Sequence, residues 1–188
     1  MTLDLETFFS AHTDVVKSAA SLRPQADAAS DAIVAALSRG NKLICMGNGG
    51  SASQASHMAG ELTGRFKANR AALPAINLSS DGSTVTCISN DYGFDSVFER
   101  QVEAFVSKGD VVLALTTSGK SANVVRAIQK AKELGAATIA LTGSRGLVGC
   151  DADHLLAIPS DVTAHIQEVH LMLLHYWCMM IDDAFANR

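Results

Sequence analysis

The hydrophobic positions change their period along the chain. Over residues 3–38 the apolar side chains Leu3, Leu5, Phe8, Phe9, Val15, Val16, Ala19 and Leu22 fall near a 3.6-residue repeat, which predicts a helix. Pro24 interrupts it, and a second helix carries Ile33, Val34 and Leu37 before Gly40-Asn41 ends it. From Lys42 onward, short apolar runs alternate with helical patterns. The runs at 42–46, 75–78, 111–115, 137–141 and 155–158 predict five strands, and the patterns at 51–65, 122–134 and 163–185 predict helices. In the second of these helices Val124, Val125, Ile128 and Ala131 share one side and Lys130, Lys132 and Glu133 the other. Residues 85–88 are β-branched enough for a strand. Their flanks, Asp81-Gly-Ser and Asn90-Asp-Tyr-Gly, equally suit a short helix capped by Asp81 or Ser83. Strands alternating with helices imply a parallel sheet covered on both faces. In such sheets ligands sit beyond the carboxyl ends of the strands, near a switch in strand order.

Two loops after strands therefore stand out. Gly47-Asn48-Gly49-Gly50-Ser51-Ala52 follows the first strand and opens a helix. Its glycines allow close approach of the backbone, and the helix start offers N–H groups and a positive dipole end to an anion or a polyhydroxylated molecule. Gly47-x-Gly49-x-x-Ala52 meets a loose dinucleotide fingerprint, but no acidic residue ends the following strand, and Asp81 comes about ten residues late for that role. Thr116-Thr117-Ser118-Gly119-Lys120-Ser121 follows the third strand. Its hydroxyls, its glycine and the next helix start make a neutral cradle for a phosphate. Position 114 is alanine, where a nucleotide-binding P-loop needs glycine, so Gly-Lys-Ser is not read as one.

His57 and Glu61 are spaced i, i+4 and share a helix face beginning beside the glycine turn. They suit a general base or two ligands of a divalent metal, and equally a surface pair. The last helix is apolar on all sides, which predicts a buried helix such as a subunit interface uses, and its His175 needs a partner. Gln167 and Glu168 both lie within its reach, and periodicity does not choose between them.

Composition narrows the class. Apolar residues are 48% and charged residues 18% of 188, which suits one globular domain. A net charge of −4 with a pI near 5.8 argues against nucleic-acid binding by bulk charge. The longest apolar run, 171–181, is interrupted by His175 and falls short of the ~20 residues of a membrane span. Cys45, Cys87, Cys150 and Cys178 form no CxxC pair and read as reduced, buried thiols of a cytoplasmic protein; no signal peptide is apparent.

Taken together, Gly47-Asn-Gly-Gly-Ser-Ala, His57, Glu61-Leu-Thr-Gly-Arg65, Asn90-Asp91-Tyr-Gly-Phe94, Thr117-Ser-Gly-Lys-Ser-Ala-Asn123, Leu141-Thr-Gly143 and Ile166-Gln-Glu-Val-His170 with His175 resemble the signature of phosphoheptose isomerases, which are sugar-isomerase (SIS) domain enzymes. The resemblance spans residues ~40–183. It implies a flavodoxin-like α/β/α sandwich with a five-stranded parallel sheet. Residues 1–188 would be a single SIS domain, with residues 1–38 a helical extension packing in the oligomer. The implied activity is the aldose–ketose isomerisation of sedoheptulose 7-phosphate to D-glycero-D-manno-heptose 7-phosphate through an enediol. That reaction is the first step toward ADP- or GDP-heptose for lipopolysaccharide or other glycans.

Carried over by position, Glu61 would be the general base and His175 the opposing acid. His57, Glu61, Gln167 and His175 would bind one zinc ion per subunit, which selects Gln167 over Glu168. Asn48, Gly49, Gly50, Ser51, Glu61, Gln167, Asn90 and Asp91 would contact substrate, and Thr116, Thr117, Ser118 and Ser121 would hold its phosphate. The resemblance further implies a cytoplasmic homotetramer with active sites at subunit boundaries. Gln54 and Ser56 replace the Asp and Gln common in the family, and His165 stands where Arg is usual. These changes bear on substrate detail and metal affinity more than on reaction type. Two other readings exist: a non-catalytic SIS protein that partners the replication initiator, and an isomerase for another sugar phosphate. The first would lack residues matching Glu61 and His175.

Overall fold

The computed structural model describes residues 4–186. Helix α1 (Leu5–Ala19) starts on the Asp4 side chain, which accepts the Thr7 N–H. A 3-10 turn (Ala20–Leu22) leads into α2 (Arg23–Ser38), and Pro24 sits in the first turn of α2, where its missing N–H costs nothing. There follow β1 (Leu43–Gly47), α3 (Gly50–Thr63), β2 (Ala75–Asn77), α4 (Gly82–Tyr92), α5 (Val97–Phe105), β3 (Val111–Thr116), α6 (Ala122–Glu133), β4 (Ala137–Thr142), β5 (His154–Ala157) and α7 (Thr163–Phe185).

All strand pairings are parallel, in the order β2-β1-β3-β4-β5, so the sheet and its flanking helices match the expected three-layer sandwich. Alternate side chains feed two cores. Leu43, Cys45, Leu113, Leu115, Ile139 and Leu141 face α2, α3 and α7; Ile44, Met46, Val112, Ala114 and Ala140 face the α5 and α6 side. The ambiguous segment 85–88 is helical, within α4, and Asp81 caps it by accepting the Ser83 and Thr84 N–H groups. Helix α5 was not anticipated. Only Val97, Phe98, Gln101 and Val102 are buried in it, a stripe too short to announce itself.

The N-terminal extension divides. Val15, Val16, Ala19 and Leu22 pack against Ile158, Ile166 and Val169, whereas Leu5, Phe8 and Phe9 stay exposed. Cys45 and Cys178 are buried and burial raises their thiol pKa values, that of Cys178 to about 12. The expectation of four buried thiols needs correction, because Cys87 is exposed and Cys150 only half-buried. Among the described residues no helix is long and apolar enough to cross a membrane.

His170 is buried on α7 and its Nε2 donates to the Thr142 carbonyl at the end of β4, leaving Nδ1 without a partner. Burial lowers its pKa from 6.5 to about 4. Between those values the unfolded chain binds more protons than the folded one, so stability present above pH 6.5 is lost as pH falls, by at most about 3 kcal/mol. Urea midpoints are expected to fall from pH 7 to 4.5, and His170→Gln to make the fall shallower. Equal slopes would put the acid sensitivity elsewhere.

Candidate active site

In this strand order β1 and β3 are neighbours, although β2 lies between them in sequence, which is a switch point of the kind that forms a crevice. The glycine turn and the hydroxyl-rich loop leave these two strands side by side. Gly49 takes φ +57° and caps α3, and a Cβ at Gly47 would come within 2.8 Å of Ser51. The amides of Asn48 and Asn123 bridge the two loops by a reciprocal pair of 2.9 Å hydrogen bonds. Asn123 was not singled out as a site residue, although it closes the motif Thr117–Asn123. Ser51 is 3% exposed and packs beneath the turn, its backbone and Cβ close to Gly47.

Thr117, Ser118 and Lys120 line a cleft of about 180 Å³, closed on its far side by Arg145, Asp161 and Thr163. The cleft is therefore not the neutral cradle read from the sequence, since two cations and one carboxylate border it. Thr116 is buried, its Oγ1 3.4 Å from the Ser121 Oγ, and supports the loop from below. The loop is held by its neighbour after β4: Gly143 N–H donates to the Thr117 carbonyl and Val148 N–H to that of Gly119. Arg145, Asp161 and Thr163 escaped the sequence reading because each lies in a different loop or helix start.

Helices α3 and α7 face each other along the expected stripe. His57 Nε2 lies 2.9 Å from His175 Nε2 and 3.4 Å from Glu61 Oε1. Gln167 stands one stage back toward the glycine turn. A Cβ on Gly50 would sit 2.7 Å from its Nε2, so glycine there makes room for this amide. Gln54 Nε2 donates to the Gln167 carbonyl and its Oε1 is buried without a partner. Glu168, the other candidate for His175, pairs instead with His12 on α1, 2.7 Å away. Thus the structure groups His57, Glu61 and His175, and sets Gln167 against Gly50. Asn90 and Asp91 are exposed near the end of α4, and the Asn90 amide donates to the Asp91 carboxylate. Among the described residues no three His, Cys, Asp or Glu side chains form a ready metal cage. The His57, Glu61 and His175 trio would have to part slightly to admit an ion.

Residues 7–143 match the family model described as SIS domain. The chain is 49% identical over 157 residues to the phosphoheptose isomerase of Aquifex aeolicus, covering 83% of this chain and 82% of that one. It is 44% identical over 181 residues to that of Aliarcobacter butzleri, covering 95% and 96%. Its fold superposes on the structure of a phosphoheptose isomerase from Francisella tularensis with a TM-score of 0.91 at 36% identity, covering 95% of this chain and 96% of the other. With relatives this similar matched over most of their length, the chain is a SIS domain isomerase and belongs to the phosphoheptose isomerase family.

Proposed function

We propose that this protein isomerises sedoheptulose 7-phosphate to D-glycero-D-manno-heptose 7-phosphate, supplying the first intermediate of ADP- or GDP-heptose synthesis. The observation that carries the reading is the convergence of Glu61, His57 and His175 where α3 faces α7. Helix α7 also reaches the hydroxyl-rich cleft through Thr163. Aldose–ketose isomerisation needs a base that moves a proton between the carbonyl carbon and its neighbour, and an acid that serves the oxygens. Glu61 takes the first role and His175 the second. Thr117, Ser118 and Ser121, with Lys120 and Arg145 beside them, hold the phosphate, and its binding energy orients the reacting end.

The donor set also fits a zinc ion. Two imidazoles and a carboxylate are a zinc-type set, and the 3.4 Å between His57 and Glu61 is close to the ~3.3 Å edge of a tetrahedral site with Zn–N near 2.0–2.1 Å. The 2.9 Å between the histidines is shorter than that edge. His57, Glu61, Gln167 and His175 would hold the metal. When bound, it would polarise the substrate carbonyl as a Lewis acid.

The exposed Leu5, Phe8 and Phe9 on α1 and Met172, Met179 and Met180 on α7 support assembly through these helices, as a homotetramer in the cytoplasm.

Purified protein is expected to convert sedoheptulose 7-phosphate, to lose turnover on chelation and to regain it with zinc, and to run as four chains by light scattering. Turnover indifferent to chelation would remove the metal and keep the acid–base pair. No turnover in either state would reject the substrate.

A further inference from the structure

Asp182 lies seven residues beyond His175 on α7 and therefore on the same face. It is buried, and it gathers three points of the segment that follows α3. Its Oδ2 accepts the N–H groups of Lys67 and Ala68, both at 2.8 Å, and its Oδ1 accepts Arg70 Nε at 2.9 Å. The Arg70 side chain is itself 1% exposed. Its remaining nitrogens reach the carbonyls of Glu61 at 2.7 Å, Leu62 at 2.9 Å and Ala71 at 3.1 Å. One carboxylate and one guanidinium thus tie the end of α3, the segment beyond it and the last turns of α7 into one unit. Burial pushes the Asp182 carboxyl up, but the Ala68 and Lys67 N–H groups and Arg70 bring it below the ordinary carboxylate value, so it is charged in the fold.

The residue just before this anchor is Phe66. Its ring lies nearly parallel to the His175 imidazole, with centroids 5.6 Å apart and planes at 24°. The edge of His57 meets the same imidazole at 5.1 Å and 69°. His175 is therefore confined on two sides, by an aromatic face and by the His57 edge. Lys67 Nζ stands 5.2 Å from the Phe66 ring. Nothing in the backbone of residues 64–72 is regular structure, so Phe66 is placed by its packing against the core and by the Asp182 anchor on the two residues that follow it.

We propose that Phe66 is a positioning residue for His175, seated by the Asp182–Arg70 anchor, and that its ring fixes the imidazole so that Nε2 points at His57 and shields that flank from water. Its effect on turnover rests on the isomerase reading above; its effect on the imidazole does not. Two variants separate the roles. Phe66→Leu keeps an apolar side chain and loses the flat face, and Phe66→Tyr restores the face.

Phe66→Leu is expected to keep the thermal midpoint within a few degrees and the KM for sedoheptulose 7-phosphate within about twofold, while kcat falls about tenfold or more, as misplacement of a reacting group does. Carbethoxylation of His175 by diethylpyrocarbonate, followed by peptide mass spectrometry, is expected to run severalfold faster in Phe66→Leu. Phe66→Tyr is expected to bring both back to the original values. An unchanged carbethoxylation rate in Phe66→Leu, or its failure to return with tyrosine, would overturn the proposal. If the unsubstituted protein shows no turnover but the carbethoxylation rates behave as stated, the isomerase reading fails and the positioning of His175 by Phe66 stands.

Discussion

Glu61→Gln is expected to reduce turnover by about 10²–10⁴-fold, the range assigned to a lost general base and equal to about 3–5 kcal/mol of barrier. Glutamine has the same shape and can still bond to His57, so the groove should keep its form. The oxygen's proton affinity is removed, together with the negative charge that a bound zinc would meet, so the metal content of the variant is measured beside its turnover. The Glu61 side chain is 21% exposed and has His57 as its ion-pair partner, while Arg70 holds the backbone carbonyl and not the carboxylate. Unfolding should therefore be nearly unaffected. KM should change little as well, because phosphate binding belongs to the loop after β3. Steady-state kinetics beside a thermal melt decide the matter. A kcat within about threefold of the original, roughly 0.7 kcal/mol, would eliminate Glu61 as the base.

Gly119→Ala is expected to be the most damaging small substitution in the phosphate loop. Gly119 takes φ +67°, and its missing Cβ would stand 1.7 Å from the Gly146 carbonyl oxygen. The left-handed backbone alone costs a non-glycine residue about 1–2 kcal/mol. The collision adds more, because its partner is backbone and cannot rotate away. Relief requires parting two loops joined by the Val148-to-Gly119 and Gly143-to-Thr117 hydrogen bonds. A loss of roughly 3 kcal/mol or more follows, or about 10 °C in melting temperature for a chain of this size, with KM for the sugar phosphate raised about tenfold. Gly60→Ala is the control. It lies inside α3 with nothing within 4 Å of the added carbon, and alanine favours helix by up to ~1 kcal/mol. A Gly119→Ala protein that melts within about 2 °C of the original would mean that the loops part freely.

Much of this architecture is written in local pattern. Continuous apolar runs such as Leu43–Gly47 form strands buried on both faces, and the helices between them force the strands to run parallel. The glycine turn and the hydroxyl loop are likewise local, since conformational freedom and helix starts belong to consecutive residues. The i, i+4 spacing of His57 and Glu61 fixes their common face before any folding. By contrast, α5 could be missed because its stripe is one short turn and a half, and 85–88 could be read two ways because β-branched residues serve strand and helix alike when a cap is nearby.

What remained hidden is what lies far apart in sequence. Nothing local joins His57 to His175, 118 positions later, and nothing local turns Glu168 toward His12 on α1. The cations at the phosphate cleft come from separate loops, and Lys67 and Ala68, the residues after Phe66, are held by a carboxylate 115 and 114 positions away. Most strands and helices, the turns and the spacing of side chains within each element are already legible in the chain, because they follow from steric and hydrogen-bonding preferences of neighbouring residues. Which side chains meet is a matter of packing, because a meeting between α3 and α7, or between the loops after β3 and β4, is set by how buried faces stack across the sheet.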